Sequence, residues 1–389
     1  MNDKTKKKPQ DKKPGADLLS ILMVVLMLAA GAGIGVFSMM ALEPMLEEMS
    51  VLQMIGAFAY LVIWVYGALL LQAVIHEAGH MVGGLLTGYR FVSFNIMGAI
   101  WQKGPDGKIR MGRMKMAGMG GQCLMAPPAY DEGRFPCTVY NLGGVAANVI
   151  VSGLLLAAWL AFRPGLLLTV PLVTMALIGF VLAVVNGIPL PGGGVQNDGA
   201  NQVCISRSVH AKRALWVQIS LAEAVSEGKR LRELPEEWFA PFPEEEMDNP
   251  IVCAISVFDA NRLIDALRFE EAEQAILRLL AREKGVLPLH RMLLTADGAV
   301  CELIAGRPGE LTESLDSKQN QQLIKAMKQH PSILRTQYAL ALLRDRDGEK
   351  AGKLLEQFER AAQKHPNPQE IIGERELLLA IQNAELKAG

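Results

Sequence analysis

What this 389-residue chain lacks over long distances is charge: residues 18–42, 49–75, 137–162 and 164–197 contain no Asp, Glu, Lys or Arg. Each stretch is about 25 residues or longer, and a helix needs only roughly 20 to cross the hydrocarbon core of a bilayer. Half of all residues are hydrophobic and the mean hydropathy is +0.21, unusual for a soluble protein of this length. Cysteine is scarce as well. The five thiols, Cys123, Cys137, Cys204, Cys253 and Cys301, are an odd number and do not make a disulfide framework. With 39 basic against 40 acidic residues, the chain has no cationic surplus for nucleic acid.

Read as helices, the uncharged stretches predict four spans, about 18–42, 51–80, 137–162 and 166–188, within a membrane domain of residues 18–202. A basic N-terminus, residues 1–17, precedes them. The first stretch is longer than the roughly 7–15 apolar residues of a signal peptide, so an uncleaved anchor is expected. Lys4, Lys6, Lys7, Lys8, Lys12 and Lys13 hold the N-terminus in the cytoplasm, whereas the first outer loop carries only Glu43, Glu47 and Glu48. Arg90, Lys103, Lys108, Arg110, Arg113, Lys115 and Arg134 place the loop 90–136 on the same side, and residues 203–389 return there after the fourth span. The expectation is a multi-pass protein of the cell membrane with both termini cytoplasmic.

After Asp198 charge becomes frequent and apolar residues recur at helical spacing, as in Leu263, Leu267, Ile276, Leu279 and Leu280. A second such run, Tyr338, Leu342 and Leu343, breaks at RDRDG (344–348) and resumes with Leu354, Leu355, Phe358, Ala361 and Ala362. Residues 203–389 are therefore expected to form a cytoplasmic all-α domain. FERAAQKHP (358–366) resembles the second helix of a tetratricopeptide repeat, but no regular period persists, and an irregular helical bundle is the competing expectation. In the loop 90–136, Val92, Phe94 and Ile96 alternate, Pro105, Asp106 and Gly107 signal a turn, and Ile109, Met111, Met114 and Met116 follow. That pattern predicts a short β-hairpin, with an amphipathic loop on the inner leaflet as the alternative. GGQCLMAPP (120–128) carries no pattern that assigns it a structure.

The second uncharged stretch ends in HEAGH (76–80), the zincin pattern. Positions i and i+4 lie about 40° apart on a helix, so His76 and His80 present their imidazoles to one metal ion. Glu77 stands next to the first ligand, where a general base can reach water. An acidic side chain in an apolar span costs roughly 2.5–3.5 kcal/mol on insertion scales and marks function by default. A catalytic zinc site takes a third protein ligand and keeps an open position. Between Glu132 and Glu223 the only acidic residue is Asp198, just past the fourth stretch; Cys204 and His210 are the competing candidates. Glu244 and Asp248, acidic at helical spacing, sit in a proline-flanked loop and read as solvated surface.

HEAGH in one apolar helix, then NGIPLP (186–191) and Asp198-Gly199 after a later one, resembles the site-2 protease family of intramembrane zinc metalloproteases over roughly residues 50–202. The resemblance implies that His76, His80 and Asp198 bind Zn2+, that Glu77 is the catalytic base, and that Asn186 orients the substrate strand. GGVAAN (143–148) resembles the family's glycine and asparagine motif and implies Asn148 as a polar contact in the cleft. The chain departs from the family in two places. GGGVQN (192–197) separates Asp198 from the second proline, and Gln72 stands where the family often has Phe, a difference expected to bear on packing.

The expected function is intramembrane proteolysis: hydrolysis of peptide bonds in or next to the membrane by a zinc endopeptidase. Pro189 and Pro191 end or kink the fourth helix, and broken backbone at membrane depth is tolerated where it lines a cavity. A substrate helix must unwind before its peptide bonds are exposed, and the hairpin at 91–116 offers an edge to which the unwound strand can pair. The expected partners are a membrane-embedded or membrane-adjacent peptide, the bilayer itself, and a protein bound by the helical domain. The resemblance leaves the substrate open among signal-peptide remnants, anti-sigma factors and small peptide precursors. A non-catalytic membrane scaffold with a partner-binding helical domain is the alternative, and it gives Glu77 no role.

Overall fold

A computed structural model describes residues 31–33, 35, 49–104, 106–113, 120–131, 135–189, 196–363, 365 and 367–388. The expected basic N-terminus (1–17) and nearly all of the expected first span (18–42) lie outside these residues, as do Met114 and Met116.

Helix α1, Val51–Leu86, runs 36 residues and overshoots the expected end at 80 because the apolar sequence continues after HEAGH. It stops where Gly88 adopts φ +86°. Gly84 then accepts a hydrogen bond from the Tyr89 amide at 2.9 Å, the left-handed glycine cap that ends many helices. The expected third span divides into a short α2, Cys137–Asn141, and α3, Gly143–Phe162; the fourth is α4, Leu166–Gly187. Among the described residues three helices, α1, α3 and α4, are long and apolar enough to cross a membrane. Their surface is inverted relative to a soluble bundle. Leu52, Phe58, Ile63, Leu154 and Leu167 are exposed, while Gln72, Asn148, Ser152 and Thr174 are buried. Small residues let such helices approach closely. At Gly179 of α4 an added Cβ would lie 2.0 Å from the Ser152 hydroxyl and 2.5 Å from the Gln72 amide nitrogen.

Between α1 and α2 the chain forms a four-stranded antiparallel sheet rather than a single hairpin. Strands β1 (Arg90–Ile96), β2 (Ala99–Lys103), β3 (Ile109–Arg113) and β4 (Gly121–Ala126) lie in the order β3-β2-β1-β4. The turn after β1 is Met97-Gly98, both at positive φ, as a two-residue type I′ connection requires. Asp106 and Gly107 of the expected turn signal instead lie between β2 and β3, so Ile109 pairs with Lys103 and not with β1. The unassigned GGQCLMAPP segment is β4, which pairs along the other side of β1 across a bulge between Phe91 and Ser93.

The remaining chain is helical: α5 (Asp198–Ile205), α6 (Val209–Ser226), α7 (Pro250–Asp265), α8 (Phe269–Leu280), α9 (Pro288–Ile304), α10 (Glu310–Ser314), α11 (Lys318–Ala326), α12 (Pro331–Ala339), α13 (Gly348–Ala362) and α14 (Pro368–Ala388). The RDRDG break is where Asp347 caps α13 by accepting from the Lys350 amide at 2.9 Å. By contact density the chain divides into two units. Of the described residues, one comprises those within 31–79, 144–189 and 196–200; the other comprises those within 80–143 and 201–388. The sheet thus groups with the C-terminal helices. Within that unit α6 packs on β4, and the Trp216 indole donates to the carbonyl of Pro128 at 2.9 Å.

Arg335 of α12 is buried between Asp297 of α9 and Glu374 of α14, with Nη1 3.3 Å from the Glu374 carboxylate. Burial pushes the Glu374 carboxyl up to about 7, against the pull of Arg335, and raises Asp297 as well. Burial also pushes His330 down to about 4, aided by His365 and Arg335, while nearby Glu370 is raised by burial with His365 opposing. The stabilising protonation of folded Glu374 is present below the ordinary carboxylate range and lost as pH rises to about 7; neutral His330 stabilises above its ordinary value and loses that as pH falls to about 4. In Glu374→Gln, hydrogen exchange of α14 amides is expected to lose the decline in stability toward pH 7, on the order of 3 kcal/mol, and keep the decline toward pH 4. An unchanged profile would mean that Glu374 is ionised throughout.

Candidate metal centre

His76 and His80 lie four residues apart on α1, and each has its Nδ1 committed. His76 Nδ1 is 2.7 Å from the Oδ1 of Asn148, and His80 Nδ1 is 2.8 Å from the carbonyl of Tyr140. Both partners can accept, an arrangement that suits the tautomer with its proton on Nδ1 and would turn Nε2 of each ring toward a metal. Metal-binding histidines are usually oriented by such bonds.

Asp198 opens α5. Although GGGVQN lengthens the connection, Asn197 ties it back to the end of α4: its amide donates to the carbonyls of Val185 at 2.7 Å and Ile188 at 2.6 Å. Its Oδ1 accepts from the Ala200 amide at 2.9 Å and caps α5. A Cβ on Gly199 would sit 2.1 Å from the carbonyl oxygen of Gly187, so only glycine allows this approach. The Asp198 carboxylate thereby comes 3.0 Å from His76 Nε2.

One ligand atom from each of His76, His80 and Asp198 lies within 4.8 Å of the others. Ligands about 2.1 Å from a tetrahedral zinc ion are roughly 3.4 Å apart, so a small closure completes the set. Two imidazoles and one carboxylate are a donor set that suits catalytic zinc, which keeps its fourth position for water. Among the described residues neither Cys204 nor His210 belongs to this group. Cys204 is buried, and His210 makes an edge contact with Phe242. Glu77, half-buried, follows His76 by about 100° around the helix.

Asn148 is fully buried, its amide donating to the backbone and side-chain oxygens of Gln72 at 3.0 and 2.8 Å, which places it to orient His76. The amide of Asn186 donates to the Leu182 carbonyl one turn earlier in α4, at 3.0 Å. Two supports escaped sequence reading, Gln72 and the Tyr140 carbonyl. A glutamine four residues before His76 in an apolar span was the available signal for the first, since buried polar groups need partners. Tyr140 is fixed by stacking on Tyr89 and by donating its hydroxyl to the Cys123 carbonyl of β4 at 2.8 Å. A separate cleft of about 470 Å3, between the sheet and the end of α6, is lined by Arg90, Lys103, Glu223 and Lys229 and contains none of the candidate ligands. Compared with known protein families, curated proteins and solved structures, the chain shows no match.

Proposed function

We propose that this chain is a membrane-embedded zinc endopeptidase of the site-2 protease kind, hydrolysing peptide bonds in or beside the bilayer. The observation that carries the reading is the convergence of His76, His80 and Asp198 at the end of a helix apolar enough to span a membrane, with Glu77 beside the first ligand. When bound, zinc supplies Lewis acidity toward a carbonyl and makes water acidic enough to deprotonate near neutral pH. Glu77 takes the proton of the attacking water at its carboxylate and passes it to the departing amine nitrogen. Asn148 and the Tyr140 carbonyl would hold both imidazoles in the tautomer that presents Nε2 to the metal. Asn197 and Gly199 hold the carboxylate of Asp198 against the end of α4. Among the described residues β3 is an edge strand of the sheet, which would suit pairing with an unwound substrate strand.

The chain would lie in the cell membrane with both termini cytoplasmic, and the helical residues 203–389 would bind a protein partner or regulate access. The 3.0 Å contact of His76 with Asp198 also fits a metal-free structural pair within a scaffold. Purified full-length protein in detergent decides between them. We expect about one zinc per chain, and cleavage of a transmembrane peptide that chelation abolishes and added zinc restores. Metal-free protein that gains none on zinc addition would leave the scaffold.

A further inference from the structure

We infer that Gln72 is a positioning residue of the metal centre, acting through Asn148 on His76. The inference rests on the zinc reading above and deepens it.

The argument is one of hydrogen-bond direction. The Met175 carbonyl on α4 can only accept, and the Gln72 side-chain nitrogen lies 2.8 Å from it. The Gln72 amide is thereby oriented with its oxygen toward Asn148, whose nitrogen lies 2.8 Å away. Asn148 must then turn its own oxygen to His76, so Nδ1 of His76 carries the proton and Nε2 is left to the metal. Each link leaves the next a single orientation, and the series starts from a backbone group that cannot reverse. Gln72 and Asn148 are both fully buried, so water does not substitute for either partner. The site is built to admit the glutamine. Gly179 on α4 faces the Gln72 amide, and an added Cβ there would lie 2.7 Å from the amide carbon.

A second tie limits the effect. Asn148 also donates to the Gln72 backbone carbonyl at 3.0 Å, a bond that survives substitution of the side chain. Removing the side-chain amide therefore loosens the imidazole without freeing it.

The test uses full-length protein carrying Gln72→Met, close in shape but unable to hydrogen-bond, and Gln72→Asn, whose amide is too short to reach both partners. Zinc affinity is read by competition with a chromophoric chelator, and ligand geometry by the visible absorption of the Co2+-loaded protein. We expect both variants to bind zinc roughly tenfold more weakly than wild type and to shift the Co2+ bands. A role in helix packing alone would lower thermal stability and leave the Co2+ bands in place. Wild-type affinity and an unshifted Co2+ spectrum would overturn the inference, and Gln72→Asn carries the test if Gln72→Met does not fold. Wild-type protein that takes up no zinc overturns the zinc reading itself, an outcome seen before either variant is made.

Discussion

Glu77→Gln protein is expected to hold as much zinc as wild type while cleaving a transmembrane peptide roughly 10²–10⁴-fold more slowly. Glutamine keeps the size and hydrogen-bonding reach of the side chain but cannot accept a proton from water. The metal set does not depend on the carboxylate, because the Nδ1 partners of the two ligand histidines are Asn148 and Tyr140. Metal content and turnover should therefore separate cleanly. Loss of both together would make Glu77 a ligand or a structural group instead of the base, and full activity would remove it from the chemistry.

Asp198→Asn should act the other way round, on the metal first. A neutral amide is a poor zinc ligand, and the substitution removes the only charge among the three donors. Zinc affinity is expected to fall by more than the roughly 10–100-fold that loss of a supporting residue costs, with activity falling at limiting zinc and partly recovering at high zinc. The capping of α5 and its seating on α4 belong to Asn197 and Gly199, so the fold should survive. Unchanged affinity would move the third ligand elsewhere, to Cys204 or His210, against the grouping seen in the structure.

The candidate site was legible in the sequence wherever chemistry and period coincide. His76 and His80 share a helix face by their spacing, and Asp198 is the only carboxylate over a long stretch of chain. The apolar helices were legible because the absence of charge over such lengths has few other meanings. Boundaries were less so: Leu86 continues α1 because the glycine that ends it stands two residues later. β4 was illegible because its pairing with β1 is non-local and its small, mixed residues show no alternation. The turn at Met97-Gly98 was overlooked in favour of the stronger proline signal at 105–107, which merged three strands into one hairpin. Gln72 was read as packing because its side chain was considered alone; its meaning lies in its partners on α3 and α4.

Tyr140 touches two things at once: its hydroxyl is tied to β4 through Cys123, and its carbonyl orients His80. A residue shared in this way connects the sheet to the imidazole through two hydrogen bonds. If zinc binds as proposed, a ligand that shifts β4 and thereby the hold on His80 would, by reciprocity, have its own affinity changed by zinc by the same factor. The sheet is then a place where the metal site can be read from outside, and a binding isotherm for a sheet ligand, taken with and without zinc, measures the coupling directly.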